Sequence, residues 1–205
     1  TVARAATVVA DAFAQRIRGI LRFVRKVEDL YRRRMISEND VERAYSGAFI
    51  LFYSQFDTAF ENLFLGLVSG RLASQQPAVK SLVKVKSEAV LRRATLGGRS
   101  YFDWFPFGAE AKRRVRGFLS RGKPFTDVTK ADRSFMEEVT TLRNAIAHSS
   151  HHARQRFKDV FVEGVHLLPR QRRPAGYLRG NHMPGQSRLE FMMLQSLAVK
   201  IGRAS

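Results

Sequence analysis

Residues 47–70 read Gly47-Ala-Phe-Ile-Leu-Phe-Tyr-Ser-Gln-Phe-Asp-Thr-Ala-Phe-Glu-Asn-Leu-Phe-Leu-Gly-Leu-Val-Ser-Gly70, and the reading of this stretch decides the fold. Its length and apolar content suit a membrane span. Gln55, Asp57, Glu61 and Asn62 oppose that reading, because a carboxylate at a bilayer centre costs about 3 kcal/mol. A buried helix accommodates both facts. Phe49, Phe52, Tyr53, Phe56, Phe60, Leu63 and Leu67 fall on one side at three- and four-residue spacing, while Ile50, Leu51, Phe64 and Leu65 make the other side apolar too. A helix apolar on both sides belongs at the centre of a bundle. Ser37 followed by Asp40 marks its start, and Gly70 ends it after about Ser69.

The flanking segments repeat the helical period. From Ala6 to Arg34, Phe13, Ile17, Ile20, Val24, Val27 and Tyr31 form one stripe, with Arg16, Arg18, Arg22, Arg25 and Lys26 largely outside it. This basic segment imitates a transit peptide, but its apolar repeat is too long and too regular for one. The chain begins without Met, as a trimmed or partial chain would. Residues 79–93 suggest a short basic helix, and Leu96 to Gly108 carries the Gly and Pro punctuation of a loop. Further helices are expected over Ala109–Ser120 and Lys130–Ala147, the latter with Phe135, Val139, Leu142 and Ile146 inward. Beyond His152, the alternation of Val160, Val162 and Val165 within Phe157–Leu168 suggests a strand or an extended arm. Residues 169–188 read as a basic loop, and Leu189–Ile201 as a final amphipathic helix. The expected architecture is an all-α bundle of about four to five main helices over 1–152, followed by an irregular basic extension over 153–205 whose last helix packs on the bundle.

Composition bounds the function. The chain has 205 residues, with 36 Lys and Arg against 18 Asp and Glu, for a net charge of +18. A field of this sign attracts polyanions, of which nucleic acid is the commonest. The absence of cysteine excludes a disulfide framework, a thiol nucleophile and any Cys-ligated metal, and it fits a cytoplasmic location.

Residues 141–152 read Thr-Leu-Arg-Asn-Ala-Ile-Ala-His-Ser-Ser-His-His. On a helix, Asn144 and His148 lie one turn apart on one face, and Arg143 stands about 140° around the axis from His148, within reach of the helix end. Cleaving RNA without metal needs a base for the 2′-hydroxyl, an acid for the leaving 5′-oxygen and positive charge on the phosphate. Histidine suits the first two roles and arginine the third. One motif supplies one of each residue, and a two-fold dimer supplies two of each. The plainer reading makes Arg143 a cation at a helix C-terminus.

Other candidates are secondary. His151 and His152 follow the motif, and placement in a solvated loop is the simpler expectation for them; two neighbouring His with no nearby carboxylate make a poor metal site. Asp57 and Glu61 share a helix face, where pairing with an arginine or a backbone donor is expected and support of Arg143 is the alternative. Arg170, Arg172, Arg173 and Arg179 suit a phosphate-contacting RNA-binding arm, or equally a solvated loop. Tyr101, Phe102, Trp104 and Phe105 suit base stacking, although packing over the bundle accounts for them more simply.

The run Leu142-Arg-Asn-Ala-Ile-Ala-His148 resembles the Arg-x4–6-His signature of HEPN domains (higher eukaryote and prokaryote nucleotide-binding). The preceding long helices are similar as well. Ala175-Gly-Tyr-Leu-Arg179 and Pro184-Gly-Gln-Ser-Arg-Leu-Glu190 resemble the extended members grouped as RiboL-PSP-type. The aromatic insertion at 96–107 departs from the family's pattern. The resemblance implies an all-α bundle that dimerises through its motif helices. It further implies metal-independent RNA endonuclease activity, in a toxin–antitoxin or antiviral system with a cognate antitoxin or inhibitor. Arg143, Asn144 and His148 map onto the family's catalytic positions, and no cofactor is implied. Two other readings stay open: a non-catalytic RNA- or nucleotide-binding module, and a helical adaptor for protein partners.

Overall fold

The computed structural model describes residues 3–85, 87–99, 101–148 and 150–199. Among these the protein is all-α, as expected. Its helices are α1 (Thr7–Arg32), α2 (Glu38–Val68), α3 (Glu88–Leu96), α4 (Ala109–Phe118), α5 (Lys130–Ala147), α6 (His151–Phe161), α7 (Pro174–Arg179) and α8 (Arg188–Ala198). Four very short strands accompany them: β1 (Arg4–Ala5), β2 (Leu72–Ala73), β3 (Asn181–Met183) and β4 (Gln186–Ser187). No described helix is long and apolar enough to cross a membrane.

Two helices begin with reciprocal caps. Ser37 N–H donates to Asp40 Oδ2 at 3.0 Å while Asp40 N–H returns to Ser37 Oγ at 3.3 Å. Thr129 and Asp132 repeat this at the start of α5, at 3.0 and 3.1 Å. Each pair satisfies two amides that the first helical turn leaves unpaired.

The described residues form two compact units, and α1, α2 and α5 each run from one into the other. The first comprises the described residues of 3–14, 56–137 and 197–199. Its core is aromatic. Phe56 stacks on Phe13 at 5.6 Å and on Phe105 at 4.6 Å, and meets Phe60 edge-on at 5.5 Å. Trp104 is sealed between Phe64 and Phe102, with centroids 5.0 and 4.9 Å away. The aromatic segment after α3 is therefore core, with Tyr101 its exposed member. β1 and β2 pair in parallel, Arg4 opposite Leu72.

The helix expected over 79–93 lies instead at Glu88–Leu96. Residues 80–82 pair with the chain beyond α4: Leu82 N–H donates to the Phe118 carbonyl and Ser120 N–H to that of Lys80, both at 2.8 Å. These backbone groups are thus taken by a partner strand and cannot serve a helix. Gly97, at φ 59°, then ends α3 in the left-handed conformation that glycine adopts without strain. Leu119 turns to extended geometry, so α4 stops at Phe118 rather than Ser120.

The second unit comprises Gln15–Gln55 and Glu138–Ser196. Ile17, Ile20, Val24 and Val27 of α1 are buried, as are Phe49 and Phe52 of α2 and Val139 and Leu142 of α5. Leu51 is exposed, so the second side of α2 is only partly covered. The strand or arm expected over Phe157–Leu168 is a helix through Phe161. Ser150 caps α6 by accepting from Ala153 N–H at 3.3 Å, and Ala153, Phe157 and Phe161 form its buried stripe. Four-residue spacing of the inward groups outweighs the valine alternation, and Val160 and Val165 point outward.

The expected loop over 169–188 is likewise ordered. Pro169–Arg172 forms a 3₁₀ turn, and Pro174 opens α7 at a position where its missing N–H costs nothing. Gly176 lies against the Arg170 carbonyl, where any Cβ would collide. β3 and β4 form a hairpin turned at Pro184-Gly185, with Gly185 at φ 81°. The last helix spans Arg188–Ala198, with Leu189, Met192 and Met193 inward; residues beyond Val199 lie outside the described ones.

Candidate active site

α5 ends in the motif. His148 stands one residue beyond its last turn and donates its N–H to the Asn144 carbonyl at 2.9 Å, which fixes the backbone that carries the ring. Arg143 Nη1 lies 3.1 Å from Asn144 Oδ1 and 3.0 Å from His148 Nε2. Its guanidinium also sits over the Tyr53 ring of α2, 5.7 Å from the centroid. Arginine has no acceptor atom, so it donates in both hydrogen bonds. His148 Nε2 is therefore the acceptor, and the ring in this arrangement carries its hydrogen on Nδ1.

The three motif residues thus converge, as the helical spacing requires. Arg143 and Asn144 are half-buried while His148 is exposed. The imidazole is therefore open to solvent, while the arginine is held from below by an aromatic ring and from the side by an amide. A guanidinium so held reaches a phosphate with little loss of side-chain freedom. In the sequence Tyr53 is simply part of the apolar stripe of α2. Its role under Arg143 depends on a contact across 90 residues, for which local sequence carries no signal.

His151 and His152 do not occupy a loop. They form the exposed first turn of α6, beginning three residues after His148. The junction therefore places the carbonyl end of α5 before the amide end of α6, with partial charges of opposite sign. Among the described residues no group of three or more His, Asp or Glu is placed to hold a metal ion.

Glu61 and Asp57 belong to the first unit and the motif to the second. Glu61 takes Arg92 as its partner at 2.6 Å, the pairing expected for a carboxylate on this helix. Three of the four arginines considered for an RNA-binding arm also meet carboxylates. Arg170 pairs with Glu38 at 3.3 Å and Arg173 with Glu42 at 3.0 Å. Arg179 grips both oxygens of Glu28, at 2.8 and 3.2 Å, and stacks on Tyr31 at 4.4 Å. Burial alone would lower the Arg179 pKa, but Glu28 and Tyr31 reverse this and hold it above its ordinary value. Arg172 is exposed and has no carboxylate partner among the described residues.

These ion pairs border two hollows of about 400 and 420 Å³, which share Glu28, Tyr45, Gly185 and Glu190. Burial, reinforced by the neighbouring Glu28, raises the Tyr45 phenol well above its ordinary pKa, so it stays a neutral hydroxyl. Neither hollow is lined by Arg143, Asn144 or His148. Comparison with known proteins returns nothing similar: no family model, curated protein or solved structure matches this chain.

Proposed function

We propose that the protein is a metal-independent endoribonuclease of HEPN type. The observation that carries this reading is the contact between Arg143 and His148 on the exposed end of α5, in a chain of net charge +18. A base removes the proton from an RNA 2′-hydroxyl, and the 2′-oxygen attacks the adjacent phosphorus. The bond to the 5′-oxygen breaks, and that oxygen takes a proton from an acid. The products are a 2′,3′-cyclic phosphate and a 5′-hydroxyl. Arg143 donates to the non-bridging oxygens, where negative charge gathers in the transition state. Asn144 holds Arg143 through its side-chain carbonyl and steadies His148 through its backbone. An incoming phosphate draws Arg143 from Nε2 and frees that nitrogen for proton transfer.

One protomer supplies one such histidine. We read the working enzyme as a homodimer in which two α5 ends meet and their histidines share the roles of base and acid. The proposed setting is a toxin–antitoxin or antiviral system in the cytoplasm, with a cognate antitoxin as partner. Incubating the purified protein with RNA in excess EDTA tests the reading, with cleavage to cyclic-phosphate ends as the expected outcome.

One observation favours a second reading. Arg143 occupies the same histidine nitrogen that would transfer the proton. If a phosphate binds without displacing Arg143, the protein is an RNA- or nucleotide-binding module, and it binds RNA without cleaving it.

A further inference from the structure

We propose that the exposed face of α6 is the track that carries the RNA backbone away from the motif, a role that the sequence by itself suggests for the arginines of 170–179. This rests on the proposed function, because it names how the same site holds its substrate.

The structure distributes its cations unevenly. In the C-terminal segment Arg170, Arg173 and Arg179 are each neutralised by Glu38, Glu42 or Glu28. A phosphate would have to break these pairs to bind there. On α6 the arrangement is the reverse. Arg154, Arg156 and Lys158 are exposed and have no carboxylate partner among the described residues. The helix's single carboxylate, Asp159, accepts from Gln155 Nε2 at 2.7 Å and pairs with none of them.

Geometry then orders these groups. α6 buries Ala153, Phe157 and Phe161, so the opposite face is open to solvent. His151, Arg154 and Lys158 follow at three- and four-residue spacing and form one row, while His152 and Arg156 form a second. The first row runs about 10 Å along the axis, at 1.5 Å per residue. It begins at His151, three residues after His148 in the chain. Both ends of the row and the motif belong to the same compact unit. Arg154 and Lys158 in one row and Arg156 in the other offer positive charge to the phosphates of one strand and read no base. The unpaired strand is the fitting substrate, since in-line attack by a 2′-hydroxyl needs a backbone free to rotate.

The test measures binding apart from cleavage. The probe is a short single-stranded RNA with 2′-O-methyl groups, which has no free 2′-hydroxyl to attack. Its affinity is titrated against salt for the full wild-type chain and for the triple variant Arg154→Gln, Arg156→Gln, Lys158→Gln. A second triple variant, Arg18→Gln, Arg22→Gln, Lys26→Gln, removes the same charge from the exposed face of α1. The proposal expects the α6 triple to bind at least about tenfold more weakly, with a slope of log K against log salt smaller by about 2, at roughly 0.7 for each phosphate that is no longer neutralised. Each single α6 variant should lower the slope by about 0.7, which keeps the test valid if the triple folds poorly. The α1 triple should keep the wild-type slope. Equal weakening in both triples would overturn the proposal in favour of a diffuse field, as would an unchanged α6 triple or a wild type that does not bind. Cleavage of unmodified RNA is scored separately, so intact binding without cleavage would remove the nuclease and leave the track.

Discussion

Arg143 Nη1 lies 3.0 Å from His148 Nε2, and because arginine can only donate, the histidine accepts through that nitrogen. The two residues are held as a unit, with Asn144 beside the guanidinium and Tyr53 beneath it. If the unit acts on a phosphate, its planar fork matters as much as its charge.

Arg143→Lys keeps the charge and loses the fork. We expect cleavage to fall by about 100-fold or more, in line with the loss of an oriented donor at a transition state. Single-turnover rates should show the loss in the chemical step, with substrate affinity changed little. Near-wild-type rates in the lysine variant would show that charge alone suffices.

The cap of α2 makes a pH prediction. Asp40 accepts from the Ser37 hydroxyl and from its N–H, in that order of importance, and these bonds hold its pKa below the ordinary 3.8. A depressed carboxylate stabilises the fold above its unfolded pKa, and the contribution is lost as pH falls through the folded value. Urea midpoints from about pH 5 down to about pH 2 should therefore drop more steeply for wild type than for Asp40→Asn. Parallel acid limbs would contradict this account of the cap.

Local signals make much of the fold legible. Ser37 with Asp40 and Thr129 with Asp132 are caps written within four residues, so the starts of α2 and α5 can be read directly. The aromatic stripe of α2 requires burial, and the structure places Phe49, Phe52, Phe56, Phe60 and Phe64 in the interior while leaving Leu51 on the other side exposed. α6 misleads because Val160, Val162 and Val165 suggest a strand, whereas its real stripe of Ala153, Phe157 and Phe161 is interrupted by Arg154, Gln155 and Arg156 and then by Lys158, Asp159 and Val160. The ordered segment after α6 is hidden by its prolines and glycines, which here start a helix and allow close packing. Within the candidate site, Arg143, Asn144 and His148 share one helix end and are legible. Tyr53, and the carboxylates that occupy Arg170, Arg173 and Arg179, come from distant segments and are not.

Arg179 should prove structural. It is largely buried on Glu28 and Tyr31, so Arg179→Ala leaves a carboxylate short of its partner. A loss of about 2 kcal/mol in chemical denaturation is expected, with RNA affinity per folded molecule unchanged. A variant of full stability that binds RNA weakly would return Arg179 to the nucleic-acid surface.

The aromatic core makes the largest stability prediction. Phe56 touches Phe13, Phe60, Phe105 and Phe135, and its truncation to alanine should cost about 3–5 kcal/mol, measured by urea denaturation. Tyr101→Ala, at an exposed site in the segment before α4, should change stability by less than about 0.5 kcal/mol.

The most direct measurement of the central claim is an RNA cleavage assay of wild type and His148→Ala in excess EDTA, with the product ends identified. His148 is exposed, and its substitution should leave the fold intact. The account predicts cleavage by wild type alone, leaving 2′,3′-cyclic phosphate and 5′-hydroxyl ends. Full activity in folded His148→Ala would contradict it, as would wild-type products with 3′-hydroxyl and 5′-phosphate ends.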